Sequence, residues 1–369
     1  MVNISFNPLN RASVDEVLPA LAARGIEVRY QSSEGEGEGE GEGEQRGDDL
    51  VYIHHSCGNM WLNSFLEGAL RAKDYIHERN DVHYRTDLEP APGRPDSLAD
   101  YPGDQTDMED WIRWFNDYLE TLERHGCRDG RNRIIMFNSA FLNSDIEDDG
   151  IEPGDPFSAL NTLVNYKAVY RHPNGPGNAY SRFGLSYWAL EDVFAANPDI
   201  LFIPITAPPL HYAPEDATTD ANAERAREFN DWLTDTWLPR YTERTRLHNV
   251  AVFDWFDLLA YPPDHPEHPN RLRAEYGGNS GDSHPNAPAR NISTQVFATR
   301  PDNFLDRAWD AFTCGPGHPS ITLWYVASNV LVEPDAPQYT LPFNIEDAAN
   351  YAAFTKLMDL EPARPFLEQ

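Results

Sequence analysis

Asp49-Leu50-Val51-Tyr52-Ile53-His54-His55-Ser56-Cys57-Gly58-Asn59-Met60-Trp61-Leu62 is the stretch that decides the fold. Leu50 to Ile53 are apolar and include β-branched and aromatic residues, which reads as a short strand buried on both faces. The run ends in the polar turn His54-His55-Ser56-Cys57-Gly58, and apolar residues at helical spacing over 60–71 predict an amphipathic helix. Strand, polar turn and helix in that order predict the first unit of a parallel sheet.

The same alternation continues outward. A helix is predicted over 108–124, with Trp111, Trp114, Phe115, Tyr118 and Leu122 on one stripe, read as core. Strands are predicted at 133–137, 200–205 and 250–253, and helices at 157–170, 187–196 and 223–237. Apolar strand runs separated by helices predict an α/β fold. Its form is a three-layer αβα sandwich with a parallel, flavodoxin-like sheet of about five strands. In such sheets ligands bind beyond the carboxyl ends of the strands, so Ser56, Asn143, Thr206 and Asp254 become candidates. The long loop over 261–288, rich in Pro, His, Gly and Asp, is a functional candidate for the same reason. The turn-rich segment 174–178 is a candidate lid.

The flanks differ. Residues 1–32 read as an appendage with a helix at 14–24 and a strand at 26–30. Glu34 to Glu44 is an unbroken Gly-Glu alternation, which has no apolar residue to bury and repels itself, so a disordered linker is expected over 33–48. The folded body is expected over 49–312. A C-terminal extension, 313–369, is expected to pack on it, with a strand at 321–326 and a helix at 345–358.

The charge balance is lopsided, with 29 basic against 60 acidic residues and a net charge of -31. Lysine occurs only at 73, 167 and 356. Such a chain repels nucleic acid and anionic membrane surfaces, so neither is an expected partner. An acidic proteome and adaptation to high salt both account for the excess. No 18-residue uncharged apolar run is present, so no membrane span is expected. The start, Met1-Val2-Asn3-Ile4-Ser5-Phe6-Asn7, lacks the basic and apolar regions of a secretory signal. The chain as written is expected to be cytoplasmic, or secreted if its start is misassigned. Cys57, Cys127 and Cys314 are widely spaced with no CxxC, which argues against a zinc site or disulfide framework. Cys57 reads as a small space-filling neighbour of Ser56.

Ser56 lies where a strand turns into a helix, which projects its oxygen into the cleft with helix amides behind it. A serine in that place also serves as an N-cap. His284, in Gly281-Asp282-Ser283-His284-Pro285, has the chemistry to activate it as a general base, and a solvated loop histidine is the plainer reading. Of the adjacent His54 and His55, one packs and the other lines the cleft, because neighbours on a strand face opposite ways. The acid-rich run Asp264-His265-Pro266-Glu267-His268 reads as solvated rather than ligating.

Four blocks together resemble the SGNH/GDSL hydrolases. They are Ile53 to Leu62; Gly103-Asp104-Gln105-Thr106-Asp107 with Trp111 and Trp114-Phe115; Phe137-Asn138-Ser139-Ala140-Phe141-Leu142-Asn143-Ser144-Asp145; and Asp282-Ser283-His284-Pro285. The likeness spans roughly 49–312 and looks like a divergent branch whose nucleophile motif reads His-His-Ser in place of Gly-Asp-Ser. What it implies is metal-free hydrolysis of esters, with no cofactor, on a small-molecule or carbohydrate ester or a lipid ester. Ser56 would be the nucleophile and His284 the base. The Ser56 amide, Gly103 and Asn143, with Asn138 as alternative to the last, would form the oxyanion hole. The family pattern Asp-x-x-His is not met, because Gly281 stands three residues before His284. Asp282 or Asp254 would orient the imidazole, or His284 would act without a carboxylate. Two other classes stay open: a non-catalytic glycan- or partner-binding domain, and a metal-dependent hydrolase using the loop histidines.

Overall fold

The structure, a computed structural model, describes residues 2–3, 28–29, 50–76, 82–83, 91, 93–94, 106–125, 131–182, 184–213 and 218–314. The chain divides into two compact units, Gly43–Pro316 and a second made of Met1–Glu42 and Gly317–Gln369. In the second unit Val2–Asn3 and Val28–Arg29 pair as parallel strands. The predicted helix at 14–24, the Gly-Glu run and the predicted elements at 321–326 and 345–358 lie outside the described residues.

The larger unit is built on a parallel sheet. Its strands are β1 (Leu50–His54), β2 (Val82–His83), β3 (Ile134–Asn138) and, after an antiparallel hairpin of β4 (Ala179–Arg182) and β5 (Leu185–Trp188), β6 (Leu201–Ile205). They are ordered β2-β1-β3-β6, so the chain steps outward in both directions from β1. The parallel α/β reading holds. Among the described residues the sheet is smaller than expected, with four strands rather than about five. The segment predicted as a fifth strand makes only isolated bridges, Phe202 with Val250 and Ile205 with Phe253. Pro204 supplies the reason: its carbonyl accepts from Phe253 N, but it has no N–H to return to the segment.

Along β1, β3 and β6 alternate residues enter two cores, one on each face of the sheet. Val51, Ile53, Ile135, Phe137 and Phe202 join Trp111, Trp114 and Phe115 in one. Leu50, Tyr52, Ile134, Met136, Leu201 and Ile203 join Trp61, Trp255 and Phe297 in the other. The first core is closed by α3 (Trp111–Asp117), α4 (Leu119–Arg124), α5 (Leu163–Tyr170), α6 (Leu190–Ala196), α7 (Asp220–Asp231) and α8 (Leu238–Thr245). The second is closed by α1 (Ser56–Trp61), α2 (Glu67–Ala72), α9 (Trp255–Leu259), α10 (Ala287–Thr294) and α11 (Phe304–Cys314). Helices on both faces make this a three-layer αβα sandwich. The Trp111-to-Leu122 stripe is buried as expected.

Several predicted helices are shorter than their periodicity suggests. The one expected over 108–124 is broken at Tyr118, whose φ of -122° and ψ of 4° are not helical. The one expected from 157 begins only at Leu163, where Thr162 caps it by accepting from Asn165 N. Tyr187 and Trp188, expected in a helix, belong to β5. Among the described residues no helix is long and apolar enough to cross a membrane.

Candidate active site

β1 is buried along its whole length and delivers the chain to the carboxyl edge of the sheet. His54, its last residue, turns into the core, with its ring 4.9 Å from that of Tyr52. His55 is extended, with φ -105° and ψ -164°, and α1 starts at Ser56. The helix can begin so close to the strand because residue 58 is glycine. A Cβ there would lie 2.5 Å from Asn138 Oδ1, 2.5 Å from His54 Cβ and 2.7 Å from Tyr52 Oη. These distances are far inside van der Waals contact. Gly58 thus sets the pitch of the turn that presents Ser56.

The loop before α10 brings the second component. His284 Nε2 lies 2.9 Å from Ser56 Oγ, across 228 residues of sequence. On the other side of the ring, His284 Nδ1 lies 2.6 Å from Asp282 Oδ1. That same oxygen accepts from the His284 backbone N at 3.0 Å, closing an Asx turn. The spacing of two residues is what lets one carboxylate hold both the amide and the ring. Gly281, at the position where the family pattern has its aspartate, has φ of +78°. This left-handed conformation favours glycine. The loop is tied to the body through Ser283, whose Oγ accepts from His211 N at 3.1 Å. Phe141 meets the His284 ring edge-on at 4.9 Å between centroids.

Electrostatics agree with this geometry. Partial burial works to raise the Asp282 carboxyl, but hydrogen bonds from the His284 amide and ring outweigh it and hold the group below the ordinary carboxylate range. Asp282 is therefore ionised at neutral pH and can only accept. The hydrogen of neutral His284 then resides on Nδ1, leaving Nε2 to accept from the Ser56 hydroxyl. Cys57 does not compete, because burial pushes its thiol up to about 12.

The other predicted residues go elsewhere. Asp254 accepts from Thr206 Oγ1 at 3.1 Å and from Asp257 N at 2.9 Å, capping α9. Burial raises its carboxyl despite those two hydrogen bonds. Thr206 is absorbed in the same cap, since its Oγ1 also accepts from Phe256 N. Asn143 Oδ1 accepts from Met108 N at 2.8 Å, and its Nδ2 donates to Asp107 Oδ1 at 2.9 Å and, weakly, to Ala140 O at 3.4 Å. Asn138 accepts from Tyr52 Oη at 2.8 Å and donates to the Ser139 carbonyl. Gly103 lies outside the described residues. In the acid-rich loop His265 stacks on Tyr261 and His268 stacks on Tyr212, with centroids 4.0 and 3.6 Å apart. The segment 174–178 is a turn whose carbonyls at Asn174 and Gly175 accept from Asn178 Nδ2.

Sequence reasoning missed the hairpin β4–β5 and the specific contact of His55, whose Nδ1 lies 3.0 Å from Ser56 Oγ. Adjacency to Ser56 was the available signal, and it does not say which way a ring turns. Around the site Met60 and Leu142 are exposed, at 42% and 57%, and Arg290 reaches both the Pro285 carbonyl and Met60 Sδ.

No protein-family profile matches the chain, and no curated protein matches it. Among solved structures it is similar to a Bacteroides fragilis protein provisionally described as an acylhydrolase. There the identity is 12% and the TM-score 0.34, over 69% of this chain and 85% of that one. A GDSL-like lipase from Bacteroides thetaiotaomicron is similar at 10% identity and a TM-score of 0.35, over 70% and 88% of the two chains. A gut microbial diltiazem-metabolizing enzyme is similar at 10% identity and a TM-score of 0.34, over 68% of this chain and 46% of that one. With likenesses this distant, chemistry has to be read from the chain's own geometry.

Proposed function

We propose that the protein is a serine ester hydrolase of SGNH type, with Ser56 as nucleophile, His284 as general base and Asp282 as the carboxylate that orients it. The observation that carries this reading is the continuous chain from Asp282 Oδ1 through the His284 ring to Ser56 Oγ, at 2.6 and 2.9 Å. Ser56 Oγ attacks the ester carbonyl and passes its proton to His284 Nε2. That proton is then given to the departing alcohol as the C–O bond breaks. Water, deprotonated in turn by His284, cleaves the acyl-enzyme and returns Ser56.

The oxyanion would be held by the Ser56 amide, with Gly103 and Asn143 as further donors. Asn143 Nδ2 donates one hydrogen to Asp107 Oδ1 at 2.9 Å and the other only weakly, at 3.4 Å, to Ala140 O, and this weakly engaged hydrogen is the one an oxyanion would recruit. Each such donor is worth about 2.7–4 kcal/mol of barrier. The exposed Met60 and Leu142 beside the site suit the acyl side of an ester, acetyl or longer, carried on a carbohydrate, a lipid or another small molecule. A non-catalytic domain would be favoured by the absence of aspartate at 281, and the contact of Asp282 with His284 supports the catalytic reading instead.

Labelling with a fluorophosphonate probe, wild type against Ser56→Ala at low and high salt, tests the proposal. Labelling of the wild type alone is expected. Folded wild type that stays unlabelled at every salt concentration would refute it.

A further inference from the structure

We propose that His55 is a second catalytic imidazole, donating an Nδ1–H hydrogen bond to Ser56 Oγ while His284 accepts from that same oxygen. The inference rests on the reading of Ser56 as the attacking group.

Counting hydrogens leads to it. A hydroxyl has one hydrogen to give and two lone pairs to receive with. Two ring nitrogens lie within bonding distance of Ser56 Oγ, His284 Nε2 at 2.9 Å and His55 Nδ1 at 3.0 Å. Asp282 takes the Nδ1 hydrogen of His284, so His284 Nε2 accepts the serine hydrogen. Ser56 Oγ then presents only lone pairs to His55. A bare Nδ1 would meet them with a lone pair of its own, so Nδ1 carries hydrogen. The backbone arranges this: extended at His55, it turns that ring to the cleft while His54 goes into the core.

The donor acts without losing its proton. During acylation the Oγ–C bond forms as the hydroxyl proton passes to His284, and the His55 N–H remains on Oγ. During deacylation water gives its proton to His284 and bonds to the acyl carbon. The Oγ–C bond then breaks, its electron pair returns to Oγ, and His284 protonates that oxygen. Negative charge grows on Oγ as a leaving group in this second half, and a fixed N–H there stabilises it. In the first half the same hydrogen bond also holds down the nucleophilicity of Oγ, so its two effects oppose. Loss of His55 should therefore fall mainly on deacylation.

Burst kinetics with a p-nitrophenyl ester, using His55→Ala and His55→Asn, test this. The Asn side chain keeps an N–H near the Nδ1 position. In H55A steady-state turnover is expected to drop by about 10- to 100-fold, the range for losing one hydrogen bond to a charged group. The burst should persist and the acyl-enzyme should accumulate, visible by intact mass. H55N should stay within about 3-fold of wild type by the same scale. H55A turnover within about 3-fold of wild type, or a burst that falls in step with turnover in both variants, overturns the proposal. If H55A does not fold, His55→Met fills the space without a donor and reads out the same way. Fluorophosphonate labelling run in parallel separates the two failures. An unlabelled wild type sinks the serine mechanism and this role with it, whereas labelled Ser56 with normal H55A turnover sinks only the role of His55.

Discussion

Asp282 and Asp254 both follow the sheet's outermost segment, and both can be read from sequence as the acid of a serine hydrolase. Their surroundings separate them. Asp254 is turned inward, tied to Thr206 and to the first turn of α9, and burial raises its carboxyl. Asp282 is largely exposed, yet it is held below the ordinary range by the amide and ring of His284. One carboxylate is spent on capping its own helix, and the other on a histidine whose far nitrogen touches Ser56 Oγ. Proximity to the end of a strand therefore says little about role, and the hydrogen-bond partner decides it.

Asp282→Asn should break the comparison most visibly. The amide cannot enforce the His284 tautomer, and a loss of about 10²- to 10⁴-fold in kcat is expected, with Tm nearly unchanged. Steady-state kinetics and a thermal melt check both halves. Gly58→Ala comes next, because the added methyl meets Asn138, His54 and Tyr52 below contact distance. Destabilisation of about 1–3 kcal/mol is expected in a urea titration, accompanied by lower activity as Ser56 shifts. Asp254→Ala should be the converse of D282N. Losing the cap costs about 1 kcal/mol while kcat is retained, and a kcat loss as large as that of D282N would abolish the distinction.

The smallest effect concerns pH. Glu191 is buried, and burial pushes its carboxyl up to about 7 against the pull of Arg244 and Arg171. A carboxyl raised in the folded state favours folding when protonated. Its contribution is complete below the ordinary carboxylate range and is lost as pH rises through about 7. Tm should thus be higher at pH about 5.5 than at about 7.5, and Glu191→Gln should narrow that gap. An unchanged gap in E191Q would assign the slope to other groups, first the buried Asp110, whose carboxyl burial also pushes up to about 7, and to relief of the net charge of -31.

Much of this was legible in the chain. The apolar runs at Leu50–Ile53, Ile134–Phe137 and Leu201–Ile205 announce buried parallel strands, because a strand covered on both faces needs no polar alternation. The polar turn after the first of them marked Ser56, and the final loop marked His284. Element ends were read less well. Periodicity over 108–124 does not register the break at Tyr118, and nothing apolar distinguishes Tyr187 and Trp188 in a hairpin from the same residues in a helix.

By itself, the sequence determined the layer architecture, the burial of the aromatic stripe and the identity of the candidate nucleophile. These follow from patterns a few residues long, set by local backbone geometry and by the apolar surface each element must bury. Only the tertiary structure decided which acid meets His284, that Pro204 limits the segment 250–253 to isolated bridges, and that His55 shares the oxygen of Ser56. Each depends on where a side chain lands relative to groups brought near by the fold. Across the 228 residues that separate Ser56 from His284, hydrophobic pattern fixes no such distance.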